Sequence, residues 1–260
     1  MLKEIYTAAM GMLPQQTKLE VTANNIANAN TAGFKRESIF EKNLIDASDN
    51  TVANSTRSSV EGPQIGSYTN FLKGSFQQTN NILDVAIDND NSFFTVQDKE
   101  NKKFFTRAGH FSINQEGDIV DGSGKYLVGY DGKLNMYKEF SSDPATTNDN
   151  LGLNLRITKN GEIYSNQRFI GSMEVTEVKN PQTLKRSPNS DFTPGDDTET
   201  ETIPTDKVSI KQGWVENSNV DIIKEMVSMI ELQRQFEMGS KVIQANEQTL
   251  DHTMKIGKFT

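Results

Sequence analysis

The sequence contains no cysteine and only two histidines, and these absences exclude several kinds of site. Without cysteine, the chain has neither disulfides nor thiolate metal ligands. His110 and His252 lie in different predicted elements, so a histidine-based zinc site would need ligands that the sequence does not offer in a recognisable pattern. We interpret His110 as an exposed or turn histidine rather than a catalytic base.

Long apolar runs and an excess of positive charge are also missing. No stretch of about 18 apolar residues occurs, so we expect no insertion into a membrane. The net charge of -8 argues against nucleic-acid binding, which needs clustered Lys and Arg. Polar residues interrupt the apolar positions of the N-terminus, which therefore does not resemble a secretory signal. We expect a cytoplasmic protein or one exported without a cleaved signal.

The usual signatures of catalysis and cofactor binding do not occur. The chain has no phosphate-binding loop, no dinucleotide fingerprint and no nucleophile elbow. Residues 88–92 imitate the start of a calcium loop, but Phe93 and Lys99 occupy the positions that need glycine and glutamate. Carboxylates are plentiful, yet no pair stands out as hydrolytic. We therefore expect no enzyme activity, no cofactor and no metal.

Each end of the chain carries an apolar heptad pattern, which is typical of coiled-coil helices. The seam residues are Leu2, Ile5, Met12, Leu19 and Ile26 in the first helix, and Ile222, Met226, Met229, Phe236, Ile243 and Leu250 in the last. Such a large apolar surface must be buried against the other helix, a neighbouring molecule or both. Gln16, Gly239 and Ser240 interrupt the seams and favour packing of several helices over a strict two-stranded zipper.

The sequence also predicts where these helices begin and end. The first covers about 2–28, with a kink or break near Pro14 and a stop at Gly33, which can take a left-handed conformation. The last begins near Asn219, where Ser218 and Asp221 resemble a capping box.

Between the helices, alternating apolar residues and dense turn signals predict an all-β region shaped as a barrel or sandwich. Its cleanest strand covers 151–157, followed by a hairpin turn at Asn160-Gly161. We divide the chain into an N-terminal helix, an extended arm, a β-rich outer domain and a C-terminal helix, giving an α+β fold. These segments are 1–33, 34–80, 81–210 and 211–260. An acidic loop at 187–206 is interpreted as solvated rather than as a calcium site.

Three motifs resemble those of the bacterial flagellar rod and hook protein family. They are ANNIANANTAGFKR at 23–36, LDVAID at 83–88 with the later TRAGHF at 106–111, and GWVENSN at 213–219 with the later EMV and QRQFE. Asn89-Asp90-Asn91-Ser92 replaces the glycine-bearing turn that is usual before the paired phenylalanines, and asparagine tolerates the left-handed backbone that such a turn needs. The acidic loop does not match the family well.

The resemblance implies a structural subunit of the flagellar basal-body rod. Such subunits polymerise helically into an axial drive shaft that crosses the periplasm, transmits torque and encloses the export channel. The terminal helices pair into a coiled-coil inner domain, and the β domain lies outside. The implied partners are other copies of the chain, other rod and hook subunits, and the flagellar type III export apparatus.

The subtype stays open at the level of sequence. The short chain and the QFE at 235–237 resemble the proximal-rod type, which is slightly favoured. The long stretch between Phe34 and Gly74 resembles the distal-rod type. The alternatives are a hook-related subunit of the same axial structure or, in a different class, a carbohydrate-binding or hydrolytic β domain on a helical stalk.

Overall fold

The computed structural model describes most of the chain and divides it into two compact units. The described residues are 2–42, 64–137, 155–187, 189–195 and 197–257. Unit 1 combines Met1–Ala27, Glu37–Asn70 and Asp221–Thr260, whereas unit 2 combines Asn28–Arg36 and Phe71–Val220. Each unit therefore draws on separate stretches of sequence.

Unit 1 contains the two terminal helices and a β-hairpin. Its elements are α1 (Leu2–Ala27), β1 (Glu37–Lys42), β2 (Gln64–Thr69) and α2 (Ile222–Gly257). The antiparallel strands β1 and β2 lie in the predicted extended arm, where the sequence shows no strand periodicity. Pro14 is buried inside α1, which continues through it, so the helix is not broken there.

The helix ends differ from prediction in two details. Helix α2 begins at Ile222, and Asp221 rather than Ser218 caps it, because the Asp221 carboxylate accepts a 3.2 Å hydrogen bond from the Lys224 amide. The predicted start near Asn219 is therefore slightly early. Gly33 has the predicted left-handed backbone, with φ +72°, but it lies beyond the end of α1.

Unit 2 is an antiparallel β-rich region. Its strands are β3 (Phe76–Gln78), β4 (Val85–Ile87), β5 (Ser92–Gln97), β6 (Lys103–Thr106), β7 (Phe111–Ile113), β8 (Ile119–Asp121), β9 (Tyr126–Gly129), β10 (Gly132–Lys133), β11 (Leu155–Ile157), β12 (Glu162–Ser165), β13 (Arg168–Ser172), β14 (Val175–Val178), β15 (Lys185–Arg186), β16 (Phe192–Thr193), β17 (Thr200–Thr202), β18 (Ile210–Gln212) and β19 (Trp214–Glu216).

The largest sheet of unit 2 is open rather than closed. Its main path runs β15-β16-β6-β5-β9-β8-β7, with β10, β14 and β17 attached to the side. Strands β11, β12 and β13 form a separate three-stranded sheet, while β4 pairs with β18 and β3 with β19. The β-rich middle is thus as predicted, but it is not a closed barrel.

Local sequence signals explain several of these strands. In β11, Leu155 and Ile157 are buried while Arg156 is exposed, which is the alternation expected of a strand with one covered face. Gly161 takes φ +82° in the turn that joins β11 to β12, so the predicted hairpin is confirmed. Residues 151–154 of the predicted strand lie outside the described residues. Asn91 supplies the left-handed backbone, with φ +48°, in the turn before β5.

A large apolar core holds unit 2 together. It includes Phe94, Leu127, Ile163, Met173 and Val175, all essentially inaccessible to solvent. A smaller aromatic cluster lies apart from it and is made by Phe93, Phe105, Val178, Leu184 and Phe192. The low overall content of apolar residues therefore still provides a well-filled β region.

The prediction that the carboxylates of the acidic loop are solvated is wrong at Asp191. Asp191 is buried and accepts a hydrogen bond from the Lys125 ammonium at 2.5 Å, so it is not one of the solvated carboxylates. Its burial raises its pKa, which Lys125 opposes. Two short strands, β16 and β17, also fall in the stretch interpreted as a loop.

Candidate assembly surface

The two terminal helices pack against each other in antiparallel orientation within unit 1. Near one end, the Asn25 amide lies 3.3 Å from the Glu225 carboxylate. Further along, the Met12 side chain lies against Gly239, where an added Cβ would come within 3.2 Å of Met12 Cγ. Sequence numbers rise along α1 as they fall along α2, which defines the antiparallel arrangement.

Most of the described seam residues are only partly buried by this packing. The half-buried ones are Met12, Leu19, Ile26, Met229, Phe236 and Ile243, whereas Ile222 and Met226 are exposed. The side chains of Leu2, Ile5 and Leu250 lie outside the described part of the structure. The role of these residues as an assembly seam stays a prediction.

A second apolar face runs along α2, and the heptad pattern does not reveal it. We call it the outer stripe, and its members are Ile223, Val227, Ile230, Met238 and Val242. They are 50–76% exposed. At 100° per residue, their mean direction is roughly 180° from that of the half-buried Met229, Phe236 and Ile243. Helix α2 therefore presents apolar side chains both toward and away from α1, and on the outer face they alternate with the exposed charged residues Glu231, Arg234 and Lys241.

Sequence analysis missed the outer stripe because a heptad pattern selects one phase of the helix. A search for apolar residues at helical spacing in every phase would have found it. The intervals from Ile223 to Val227, from Val227 to Ile230 and from Met238 to Val242 are four, three and four residues. A helix that is apolar on two faces is usually covered on both.

Asn25, from the first motif, ties three elements of unit 1 together. Its side-chain amide donates to the Glu37 carbonyl at 2.8 Å, and its side-chain carbonyl accepts from the Glu37 amide at 3.0 Å. The same side chain contacts Glu225, and both Asn25 and Glu225 are buried. These contacts fix the start of β1 and the first turns of α2 beside the end of α1.

A buried ionic triad occupies unit 2 and draws on all three family-like motifs. The Glu216 carboxylate receives the Lys35 ammonium at 2.5 Å and the Arg107 guanidinium at 3.1 Å. These three side chains are only 1–2% exposed. Lys35 also donates to the Leu72 carbonyl, and Arg107 donates to the Asn89 carbonyl. Backbone acceptors thus assist a single carboxylate in balancing two cations.

Burial disfavours the charged forms of the two cations. It lowers the pKa of Lys35 and of Arg107, because desolvation disfavours the charged form, while Glu216 acts in the opposite direction. The attraction of Glu216 therefore opposes the cost of desolvating the two cations. Removal of this anion would leave two buried positive charges.

Asn219, from the third motif, forms hydrogen bonds with two other chain segments of unit 2. Its side-chain carbonyl accepts from the Arg36 amide at 2.7 Å, and its side-chain amide donates to the Leu72 carbonyl at 2.9 Å. The motif residues that suggested a family thus make specific buried or half-buried polar contacts.

His110 and the carboxylates were the sequence-level candidates for a catalytic or metal site. The His110 ring nitrogen lies 2.7 Å from the buried Asp84 carboxylate, but the histidine side chain is 65% exposed, in keeping with its interpretation as a surface residue. Within the described ranges, no group of three or more histidines, aspartates or glutamates is placed to hold a metal ion. No described helix is long and apolar enough to cross a membrane.

Three family descriptions match separate regions of the chain. "Flagella basal body rod protein" matches residues 5–35, and "Flagellar hook protein FlgE/F/G D1 domain" matches 86–165. "Flagellar basal body rod FlgEFG protein C-terminal" matches 211–256. The matched regions cover most of α1, the strands from β5 to β12, and all but the last residue of α2.

Full-length relatives agree with these matches. The chain is 30% identical to the flagellar basal-body rod protein FlgG of Agrobacterium fabrum, over 93% of this chain and 94% of the relative. It is 29% identical to FlgG of Borreliella burgdorferi, over 96% and 97%. It is 27% identical to the rod protein FlgF of Mesorhizobium japonicum, over 98% of both. The chain therefore belongs to the flagellar basal-body rod protein family.

Proposed function

We propose that this structural rod subunit is of the FlgG type and that the outer stripe of α2 packs against neighbouring rod subunits. The chain is a non-enzymatic component of the flagellar basal body and assembles with other rod and hook subunits. The observation that carries the proposal is the second apolar face of α2.

The energetics favour coverage of that face. Full burial of one aliphatic or methionine side chain contributes about 1.5–3 kcal/mol. Each member of the outer stripe already has part of its surface covered, so coverage of the remainder would contribute roughly half of that amount per residue. Five such residues would supply several kcal/mol, which is a substantial share of a protein–protein contact.

A neighbouring subunit offers a suitable occupant, because its own terminal helices carry apolar heptads. In this proposal, α1 and α2 form a coiled-coil inner domain within each subunit, and the outer stripe continues the packing between subunits. The seam residues Met229, Phe236 and Ile243 then serve contacts within the subunit. The small residues Gly239 and Ser240 permit close approach of several helices.

The FlgG assignment is supported by similarity to FlgG proteins over nearly the whole chain. It favours the distal rod, whereas the sequence alone slightly favoured the proximal type. The rest of the proposed role follows the family. Subunits leave through the flagellar type III export apparatus without a cleaved signal, build a helical shaft across the periplasm, transmit torque and enclose the export channel.

The test introduces charge into the outer stripe. The double variant Ile230→Glu, Met238→Glu would place two carboxylates in the proposed contact between the outer stripe and a neighbouring subunit. Removing these carboxylates from water is costly. In a deletion strain complemented with this variant, we expect the chain to be exported but rods to be incomplete and swimming to be lost. The measurements are electron microscopy of basal bodies, motility, and detection of exported subunits.

The control is Gln235→Glu, which adds one carboxylate, half the charge of the double variant, at an exposed polar position of α2. It should restore motility, and the purified double variant should melt within about 2 °C of wild type because it alters only exposed positions. Full motility of the double variant would contradict the proposal. Loss of export would show that the variant acts before assembly.

A further inference from the structure

The three-stranded sheet of unit 2 borders a cavity that lies apart from the surfaces described above. The cavity has a volume of about 960 Å³ and opens to solvent. Among the described residues, strands β11 and β12 and the turn after β12 supply most of its lining, to which Thr158 and Ile82 also contribute. This volume falls at the upper end of the range that is typical of small-molecule sites.

An outward-facing row of side chains crosses the same sheet. Arg156 of β11 is directly opposite Tyr164 of β12, and Tyr164 is opposite Phe169 of β13. The Tyr164 and Phe169 rings meet edge to face with centroids 5.6 Å apart. The Tyr164 hydroxyl donates to Glu162 at 3.1 Å, which fixes the orientation of its ring. The row provides a firm aromatic platform at the cavity.

The turn beside the platform has an unusual residue for its backbone. Asn166 and Gln167 both have positive φ, +49° and +69°, as in the tight turns that join antiparallel strands. Asparagine suits the first position, but glycine is the usual residue at the second, and glutamine there is strained. Gln167 is one of the residues that line the cavity.

The polar groups around the cavity are available to a ligand. The side chains of Arg156, Asn166 and Gln167 form no hydrogen bond with any other described residue. Two carboxamides offer both donors and acceptors, and the guanidinium offers donors in a plane. None of the described lining residues is a carboxylate, so the described part of the lining does not supply the pair needed for glycoside hydrolysis.

We propose that this cavity binds an uncharged oligosaccharide without cleaving it. Sugar rings present C–H faces that pack on an aromatic ring and hydroxyls that pair with carboxamides, so they match Tyr164, Asn166 and Gln167. A single guanidinium is too little positive charge for a polyanion, and the net charge of -8 disfavours one further. The inference concerns unit 2 and does not depend on the proposed role of α2.

The test is a titration of the full-length chain with two neutral probes, chitotetraose and cellotetraose, followed by two-dimensional amide NMR. We expect saturable shifts confined to β11, β12 and the 166–167 turn for at least one probe. Tyr164→Ala should weaken binding about tenfold or more, because it removes the stacking surface. Gln167→Gly should weaken it about threefold or more while the melting temperature stays equal or rises, since glycine relieves the strained turn.

The control is Tyr68→Ala, which removes an exposed tyrosine from β2 of unit 1. It should leave the affinity within about twofold of wild type. The proposal is overturned if neither sugar gives saturable shifts at about 5 mM, a level at which a useful millimolar site would be largely filled. Equal losses in Tyr68→Ala and Tyr164→Ala would also overturn it, as would shifts with a proline-rich peptide but not with sugar.

Discussion

The carboxylate of Glu216 allows two positive charges to remain buried in unit 2. Lys35 and Arg107 are far apart in sequence, and each meets this one anion at hydrogen-bond distance. A buried ion cluster adds little net stability when it is complete, but loss of one member leaves uncompensated charge. We therefore infer that the ion cluster mainly determines which chain segments pack together, namely those that contain Lys35, Arg107 and Glu216.

Glu216→Gln should destabilise the protein strongly, by about 3–5 kcal/mol, because it removes the anion and keeps both cations. The measurement is the free energy of unfolding from urea denaturation. Glu199→Gln provides the control, since the Glu199–Lys179 pair is largely exposed and such pairs contribute about 1 kcal/mol or less. Similar losses in the two variants would show that the triad is not an effectively buried cluster.

Sequence reasoning identified the motifs that contain these residues but not their contacts. Charged side chains are normally solvated, so a sequence alone favours an exposed Lys35 and an exposed Glu216. Only the fold brings the segments near 35, 107 and 216 together. Asp191 was mispredicted for the same reason, because its partner Lys125 lies far away in sequence.

Among the elements, α2 illustrates what periodicity can and cannot predict. The heptads indicated a long terminal helix and one apolar face, and the structure contains the helix. They could not indicate the outer stripe, because its phase differs from that of the heptad seam. Strands were predicted well where a turn residue marks the hairpin, as at Gly161. Strands β1 and β2 were missed because they are stabilised by pairing with each other and carry no local pattern.

The start of α2 should depend on pH through its capping residue. Hydrogen bonds from the backbone of Lys224 lower the pKa of Asp221 below its ordinary value of 3.8. An aspartate with a lowered folded-state pKa stabilises the helix fully above 3.8, and this contribution is lost as the pH falls through the lower folded-state value. The ionised carboxylate also suits the positive end of the helix dipole.

Far-ultraviolet circular dichroism of wild type, Asp221→Asn and Asp221→Ala checks this expectation. The Asn variant keeps an uncharged cap, so its helix content should lack the acid transition due to Asp221. Near neutral pH the Ala variant should be the least helical, and its deficit relative to wild type should shrink in acid. A constant deficit from neutral to acidic pH would refute a role for the ionised cap.

At the scale of the whole molecule, sequence reasoning predicted terminal helices and a β-rich middle because both have strong periodic signals. It could not predict that each compact unit combines distant stretches of chain. The segment 34–80, predicted as one arm, contributes residues 37–70 to unit 1 and its flanks to unit 2. Hydrogen bonds of Asn25 and Asn219 hold these segments, and neither contact is visible as a local pattern.

The subtype has a direct consequence for the number of subunits in one basal body. The resemblance to the rod family implies a few tens of copies for a distal-rod subunit and only a few for a proximal-rod subunit. If the chain is of the FlgG type, electron cryomicroscopy of basal bodies with a tag on this subunit should show it in repeated helical layers along the distal rod. The tag belongs on an exposed turn of unit 2, such as Gly122, where an added Cβ meets no atom within 4 Å. Motility of the tagged strain is the control that assembly is undisturbed. A count of only a few copies near the membrane end of the rod would reject the FlgG assignment and support the proximal type, while leaving the packing role of the outer stripe to its own test.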